Sequence, residues 1–374
     1  MPNHDTKRRS LLKTLAAVGA AGTLPLWAQR ALAANPITVG IIYVGAKDDF
    51  GYNRAHAQAA AILKKTPGVK VVEEERVPET VAVQKTMEAM INQDQASLII
   101  ATSFGYFDPH VLAVAKKYPK VRFAHCGGLW NKDKHPANVG SFFGYIHECE
   151  FLNGVAAAHA TKSKKLGFIA AKPIPQVLQN INAFALGARS VDPAITTHLI
   201  FTGDWSLPIR EAEATNSLVD QGIDVVTCHV DSPKVVVETA EKRGIFSCGY
   251  HASQAALAPK GYLTGAEWDW STPYKEIVAT AIAGRPHLNF VRGGIKEGFV
   301  KMSPYSKAVS EASRKQIDAI KAKMVTDEFT AFRGPLKDNK GSVVIESGKA
   351  FKQTDIALES MNYLVDGVVG ALPG

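Results

Sequence analysis

Residues 246–270 read FSCGYHASQAALAPKGYLTGAEWDW, a short apolar run, a polar loop and a second apolar run ending in Glu267, Trp268, Asp269 and Trp270. Large rings interleaved with carboxylates just past a strand end suit a flat, nitrogen-rich ligand. The rings stack on its faces and the carboxylates accept its N–H groups. The same residue types also pack the edges of cores, so the pattern needs support from elsewhere in the chain.

That support comes from other loops of the same kind. Asp48, Asp49, Phe50, Tyr52 and Asn53 follow one apolar run, and Ser103, Phe104, Gly105 and Tyr106 follow another. Asp204-Trp205, Asp231-Ser232 and Tyr250-His251 each follow a further run. In open parallel sheets ligands lie beyond the carboxyl ends of the strands, where such loops gather. Catalytic signatures are missing: there is no G-x-G-x-x-G after the first strand, no phosphate loop, no G-x-S-x-G and no H-E-x-x-H. His125, His229 and His251 stand near strand ends beside Cys126, Cys228 and Cys248. Cys228 and His229 are strand neighbours pointing to opposite faces, so they cannot share one ion without distortion. No metal site and no cofactor are expected.

The elements that must position these loops alternate between two periodicities. Residues 37–44 form an apolar, β-branched run, the pattern of a strand buried on both faces. Helical spacing follows over 54–65, then a strand over 69–77, a helix over 78–92 and a strand over 97–102. Asp108-Pro109 is expected to open a helix, and residues 121–125 a fourth strand. A second series begins after a helix at 148–160, with strands at 165–171, 196–201, 224–229 and 244–248. Helices at 175–190, 207–221 and 233–242 lie between them. Strands alternating with helices of this length imply a parallel sheet covered on both faces, and two series imply two α/β lobes. Beyond Trp270 the pattern predicts a helix over 273–283, a Gly-rich strand pair over 291–299, a helix over 307–324 and an amphipathic tail helix from Asp355. The expected lobes are 34–145 with about 271–296, and 146–270 with about 297–374, so the chain crosses three times.

The chain of 374 residues is long enough for two cores, and at 46% hydrophobic and 21% charged it is an ordinary globular one. Its first 33 residues read as an address. A basic region carries the twin arginine Arg8-Arg9, residues 14–27 are weakly apolar, and Ala31-Leu32-Ala33 offers a small-x-small cleavage site. Together they are similar to a twin-arginine export signal, implying a periplasmic protein. The apolar segment is too short to span a membrane, and no cysteine follows the cleavage site for lipid attachment. Residues 1–33 hold five Lys or Arg and one Asp, so the net charge of +8 falls to +4 without them. That excess, lacking a basic stripe, carries no nucleic-acid reading. Cys228 and Cys248 end successive strands and stand either as a disulfide or as two buried thiols.

Three segments resemble the basic membrane protein family of ABC-transporter substrate-binding proteins, which includes purine nucleoside receptors. Asp48-Asp49-Phe50-Gly51-Tyr52-Asn53 is similar to the family's Asp-x-Ser-Phe-Asn segment. Asn138-Val139-Gly140 through His147-Glu148-Cys149-Glu150-Phe151-Leu152-Asn153-Gly154 resembles its N-V-x-G…H-E-x-x-F-L-x-G segment, and Gly222-Ile223-Asp224-Val225-Val226 its G-x-D-V-V strand. His147 and Glu148 are better read as a helix start than as ligand contacts. The resemblance implies a type I periplasmic binding-protein fold, two Rossmann-like lobes closing on a ligand. It also implies delivery to a membrane permease driven by an ATPase.

Two departures matter. The family's Gly-Val-Asp-x-Asp-Gln motif, whose acid holds ribose hydroxyls in nucleoside receptors, stands here as Gly249-Tyr250-His251-Ala252-Ser253-Gln254. The family's Thr-Ser-x-x-Lys stands as Thr264-Gly265-Ala266-Glu267-Trp268. Hydroxyls buried without partners cost about 1–3 kcal/mol each, so losing these charges disfavours a sugar. The expected ligand is a free purine base, adenine before guanine, bound better than its nucleoside. Trp205 with Phe104 or Phe50 is expected to sandwich the ring, and Asp49, Asn53, Asp231 and Asp269 to line its polar edge. Tyr250 and His251 add ring surface, and Trp268 blocks the former sugar position. A monomeric, non-enzymatic binding protein is expected. The alternatives are a receptor for a nucleoside or another small planar solute, a ligand-sensing subunit, and a periplasmic enzyme acting on purines.

Overall fold

The computed structural model describes residues 36–128, 130–353 and 355–373. The export signal expected over residues 1–33 lies outside them. Among the described residues two large sheets organise the chain. The first has the order β11-β5-β4-β3-β1-β2, formed by β1 (Ile37–Ile42), β2 (Val69–Glu74), β3 (Leu98–Ala101), β4 (Arg122–Cys126), β5 (Val139–Gly144) and β11 (Phe290–Gly293). All its pairings are parallel. The second comprises β6 (Lys165–Ala170), β7 (Thr196–Phe201), β8 (Val225–His229), β9 (Phe246–His251), β10 (Tyr262–Trp268) and β12 (Val300–Met302), completed by a short strand at Val368–Val369. Its order is β12-β10-β9-β8-β6-β7 and then that short strand, with only β12 antiparallel to its neighbour. This is the doubly wound α/β architecture that the alternating periodicities imply.

Helices cover both sheets: α1 (Tyr52–Leu63), α2 (Val81–Asn92) and α3 (Leu112–Lys117) on the first, with α8 (Ser271–Ile282) packed on α1. The second carries α4 (His147–Ala160), α5 (Pro175–Arg189), α6 (Pro208–Asp220), α7 (Lys234–Lys242) and α9 (Glu311–Val325). The chain crosses between sheets after β5, after β10 and after β11. Glu148, in the first turn of α4, accepts a hydrogen bond from the Ile295 N–H at 2.7 Å and so ties one crossing to another. One buried cluster runs from Ile41 and Tyr43 of the first lobe, through Trp268, Trp270 and Tyr274, to Val226 and Cys228 of the second. The lobes therefore share apolar packing at their junction.

Four local readings differ from the sequence. The segment opening at Asp108-Pro109 is no regular helix: Asp108 is extended (φ −117°, ψ 122°), and α3 starts only at Leu112. Strand β5 was not read from the sequence, because glycines interrupt its apolar run VGSFFG. The expected strand pair over 291–299 is two strands in different sheets, β11 and β12, because this stretch is one of the crossings. The expected tail helix is a single 3-10 turn, Ile356–Ser360, followed by irregular chain and a turn at 366–367 before the short edge strand. Its apolar residues Leu358, Met361, Leu364 and Val365 do pack on the second lobe, but without helical continuity. All four cysteines are buried free thiols, and Cys248 Sγ donates to the Asn153 carbonyl at 3.6 Å.

Candidate functional site

A cleft of about 460 Å³, counting its open mouth, separates the carboxyl ends of the two sheets. The first lobe contributes Tyr52 from the start of α1, Ser103 and Phe104 beyond β3, Cys126 and Gly127 at the end of β4, and Phe143 from β5. The second contributes Ile174 and Gln176 around the start of α5, Trp205 beyond β7, and His229 and Asp231 at the end of β8. Tyr250 and His251 at the end of β9 and Trp268 at the end of β10 complete the wall.

Rings dominate this lining. Phe104 keeps 42% of its surface exposed, a large apolar side chain held at the mouth. Trp205 lies tilted against His229, with ring centroids 6.3 Å apart, and Lys172 Nζ sits 5.1 Å from its ring centre. Deeper in, Trp268 stacks on Trp270 at 4.4 Å and 18°, and Trp270 stacks on the buried His56 ring at 5.0 Å and 2°. Phe143 leans on Trp268 from the other lobe at 5.4 Å. Rings stacked in this way resist rotation and present fixed faces.

The polar groups are few. Trp268 Nε1 donates to His251 Nδ1 at 2.7 Å, so the neutral His251 carries its proton on Nε2. Burial holds His251 well below the ordinary histidine range and brings His229 down to about 3. Both rings are therefore neutral. Asn180 Nδ2 donates to the Tyr250 hydroxyl at 2.7 Å and to His229 Nδ1 at 2.9 Å, fixing both rings at the cleft floor. His251 has left-handed backbone (φ 69°), a conformation costing about 1–3 kcal/mol that tends to mark functional sites. Gln176 Oε1 is buried without a partner, while its Nε2 reaches the Gly127 carbonyl of the opposite lobe at 3.4 Å. Among the described residues no group of three or more His, Cys, Asp or Glu is arranged to hold a metal ion.

Of the residues singled out in the sequence, Phe104, Trp205, Asp231, Tyr250, His251 and Trp268 meet in the cleft. Asp49, Phe50, Asn53 and Asp269 are not in its lining. Asp49 instead caps α1, accepting from the N–H groups of Gly51, Asn53 and Arg54 at 2.8–3.0 Å and from Asn53 Nδ2 at 2.8 Å. Asn53 is buried and accepts from the Gly45 N–H at 3.1 Å. Asp269 accepts from Ser271 at the start of α8, and Lys301 approaches it at 3.9 Å. Free helix N–H groups attract nearby carboxylates, and both aspartates are held at helix starts rather than in the cleft lining. Phe50 lies beneath Arg54 and Lys234 at 4.6 and 5.4 Å.

Sequence reasoning passed over Ile174 and Gln176, although the loop after β6 lies at a strand end like the others. It also passed over Phe143, hidden in the unread strand β5. Tyr52, Ser103, Cys126 and His229 were noted only as loop or metal candidates.

Phe50 belongs to a seam where the lobes touch. The Tyr52 N–H donates to the Asp231 carbonyl at 2.9 Å, Ser232 Oγ donates to the Asp49 carbonyl at 2.7 Å, and Gln254 Nε2 donates to the Phe50 carbonyl. Gly51 lies so close that a Cβ there would stand 2.0 Å from the Asp231 carbonyl oxygen.

Two α/β lobes joined by three crossings, with a ring-lined cleft between strand ends, form a fold shared with solute-binding proteins. Structures of that class match it: a solute-binding protein of an ABC transporter system from Aeropyrum pernix superposes with a TM-score of 0.68 at 20% identity, covering 81% of this chain and 93% of that one. One from Conexibacter woesei gives 0.66 at 20% identity, covering 78% and 97%. The model of the Bmp family, PnrA-like ABC transporter substrate-binding proteins, matches residues 37–331, and the chain belongs to that family. It is similar to a purine-binding protein of Brucella abortus, 34% identical over 91% of this chain and 95% of that one. It is also similar to a candidate ABC transporter glucose-binding protein of Haloferax volcanii, 29% identical over 89% and 80%. The chain is thus a substrate-binding protein of an ABC system rather than an enzyme, a class that works outside the cytoplasm with a permease and an ATPase. Among its described residues no helix is long and apolar enough to cross a membrane.

Proposed function

We propose that this protein binds a free purine base, adenine ahead of guanine and either base ahead of its nucleoside, and delivers it to the permease of an importer. The observation that carries the reading is the Trp268–His251 pair. These residues stand where the family resemblance places a lysine and an acid, and they are hydrogen-bonded to each other at 2.7 Å, leaving no charge there to grip a sugar. Trp205 and Phe104 hold the base between them, Asp231, Tyr250 and His251 meet its edge, and Trp268 closes the position a ribose would take. Base stacking on aromatic side chains contributes about 1–3 kcal/mol, and a ligand of about ten heavy atoms at up to about 1.5 kcal/mol each can reach the micromolar range or tighter. The purine-binding relative from Brucella supports the ligand class.

Residues 34–145 with about 271–296 move as one lobe, and 146–270 with about 297–374 as the other. A twin-arginine signal carries the monomer to the periplasm, where it works without a lipid anchor. Calorimetric titration of the mature protein with adenine, guanine, adenosine and glucose tests the reading. Adenine is expected to bind most tightly. Tighter binding of adenosine or glucose would overturn it, and mass spectrometry of ligand retained through purification gives an independent check.

A further inference from the structure

Asp231 is the acidic side chain in the cleft lining, and its surroundings are unusual. Its backbone is pinned on both sides, the N–H donating to the Trp205 carbonyl at 2.8 Å and the carbonyl accepting from Tyr52. Its half-buried carboxyl takes no hydrogen bond and forms no ion pair among the described residues. The groups around it offer no free cation. Asp49 and Tyr52 face it from the start of α1, Glu79 from the segment before α2, and Glu211 from α6. His229 and His251 flank it as neutral rings. Lys172, beyond β6, is paired with Asp204 at 2.8 Å, and Lys234 of α7 lies over Phe50 and approaches Glu238.

We propose that the Asp231 carboxyl is the specificity-determining group of this cleft, acting as a neutral acid that donates one hydrogen bond to the purine and accepts another. This inference rests on the purine reading above. A neutral carboxyl offers one O–H donor beside one acceptor oxygen, whereas an ionised one only accepts. Adenine presents an N6–H donor beside a ring-nitrogen acceptor, the complement of the neutral acid. Its ring nitrogen would face a bare lone pair on a carboxylate. Guanine presents two adjacent donors, N1–H and N2–H, that a carboxylate satisfies fully. The protein favours the neutral form, because burial and then the acidic neighbours Asp49, Glu79 and Glu211 push Asp231 well above the usual carboxylate range.

The sign follows. While Asp231 stays neutral adenine affinity is flat in pH, and once pH passes the acid's raised pKa the affinity falls, because the base must then bring a proton with it. Calorimetry of the mature protein with adenine and guanine from about pH 5.5 to about pH 8.5 tests this on the parent, Asp231→Asn and Asp231→Ala. Asn keeps the donor-acceptor pair and cannot ionise. The parent is expected to bind adenine within about twofold of the Asn variant near pH 5.5 and to fall below it only where Asp231 ionises, while guanine changes less. The Asn variant is expected to give a flat profile, and the Ala variant to bind adenine about tenfold more weakly than the Asn variant. An Asn variant that binds adenine about tenfold or more tightly than the parent near pH 5.5, or one as weak as the Ala variant, would overturn the inference while leaving purine binding intact. No heat with any purine would remove the purine reading itself.

Discussion

Closing the lobes depends on a seam that one glycine keeps flush, and replacing Gly51 by alanine is the sharpest perturbation of it. The added Cβ would lie 2.0 Å from the Asp231 carbonyl oxygen and 2.5 Å from Pro233 Cδ. Because the first neighbour is backbone, rotamer changes cannot relieve the contact, and the seam must part by about 1 Å or more. Three hydrogen bonds cross there: from the Tyr52 N–H to the Asp231 carbonyl, from Ser232 to the Asp49 carbonyl, and from Gln254 to the Phe50 carbonyl. At about 0.5–1.5 kcal/mol net each, their loss disfavours the closed arrangement by about 1.5–4.5 kcal/mol. If ligand binds between closed lobes, Gly51→Ala should weaken adenine binding by about ten- to a thousandfold through population alone. Calorimetry supplies the affinity and small-angle scattering the compactness of the ligand-saturated protein. The unfolding midpoint should barely move, because Gly51 lies outside both sheets. An alanine variant binding adenine within about twofold of the parent would refute the reasoning.

Three further outcomes are expected. Trp205→Ala should cost adenine affinity about ten- to a hundredfold with an unchanged unfolding midpoint, and binding equal to the parent's would take Trp205 out of the site. Burial raises Glu148 to about 8 from the ordinary 4.5, with Glu297 and Asp327 adding to the rise. Between those values the folded chain holds a proton that the unfolded chain has lost, so stability falls as pH rises from about 4.5 to about 8. Glu148→Gln, which still accepts from Ile295, should raise the unfolding midpoint by a few degrees at pH near 8 and have little effect near pH 4.5, as thermal scans would register. Arg292 and Glu359 form a bidentate pair at 2.8 and 3.0 Å, each side chain 5% exposed. Glu359→Ala would leave a buried guanidinium unpaired and should cost about 3–5 kcal/mol in denaturant unfolding.

Much of the fold was legible because its signals are local. A strand buried on both faces writes an unbroken apolar run, as in Ile37–Ile42, and a covering helix writes the spacing of Ala55, Ala59, Ala60 and Leu63. Where a strand's own composition is mixed, as in Val139–Gly144, the signal fails because pairing with β4 and β11 makes it a strand. The crossing over residues 291–299 failed for a related reason: a local pattern cannot state that one half of a hairpin-like stretch joins a different sheet.

The sequence by itself determined the two-lobed α/β class, the family and the aromatic character of the strand-end loops. These follow from residue type and period, which each segment carries on its own. Tertiary structure alone decided which of those loop residues line the cleft. Asp49 and Asp269 have the same chemistry as Asp231, yet two of the three are consumed by helix N–H groups and one is left unpartnered in the cleft. A carboxylate goes to the nearest unsatisfied donors, and which donors are nearest is settled only when distant segments meet.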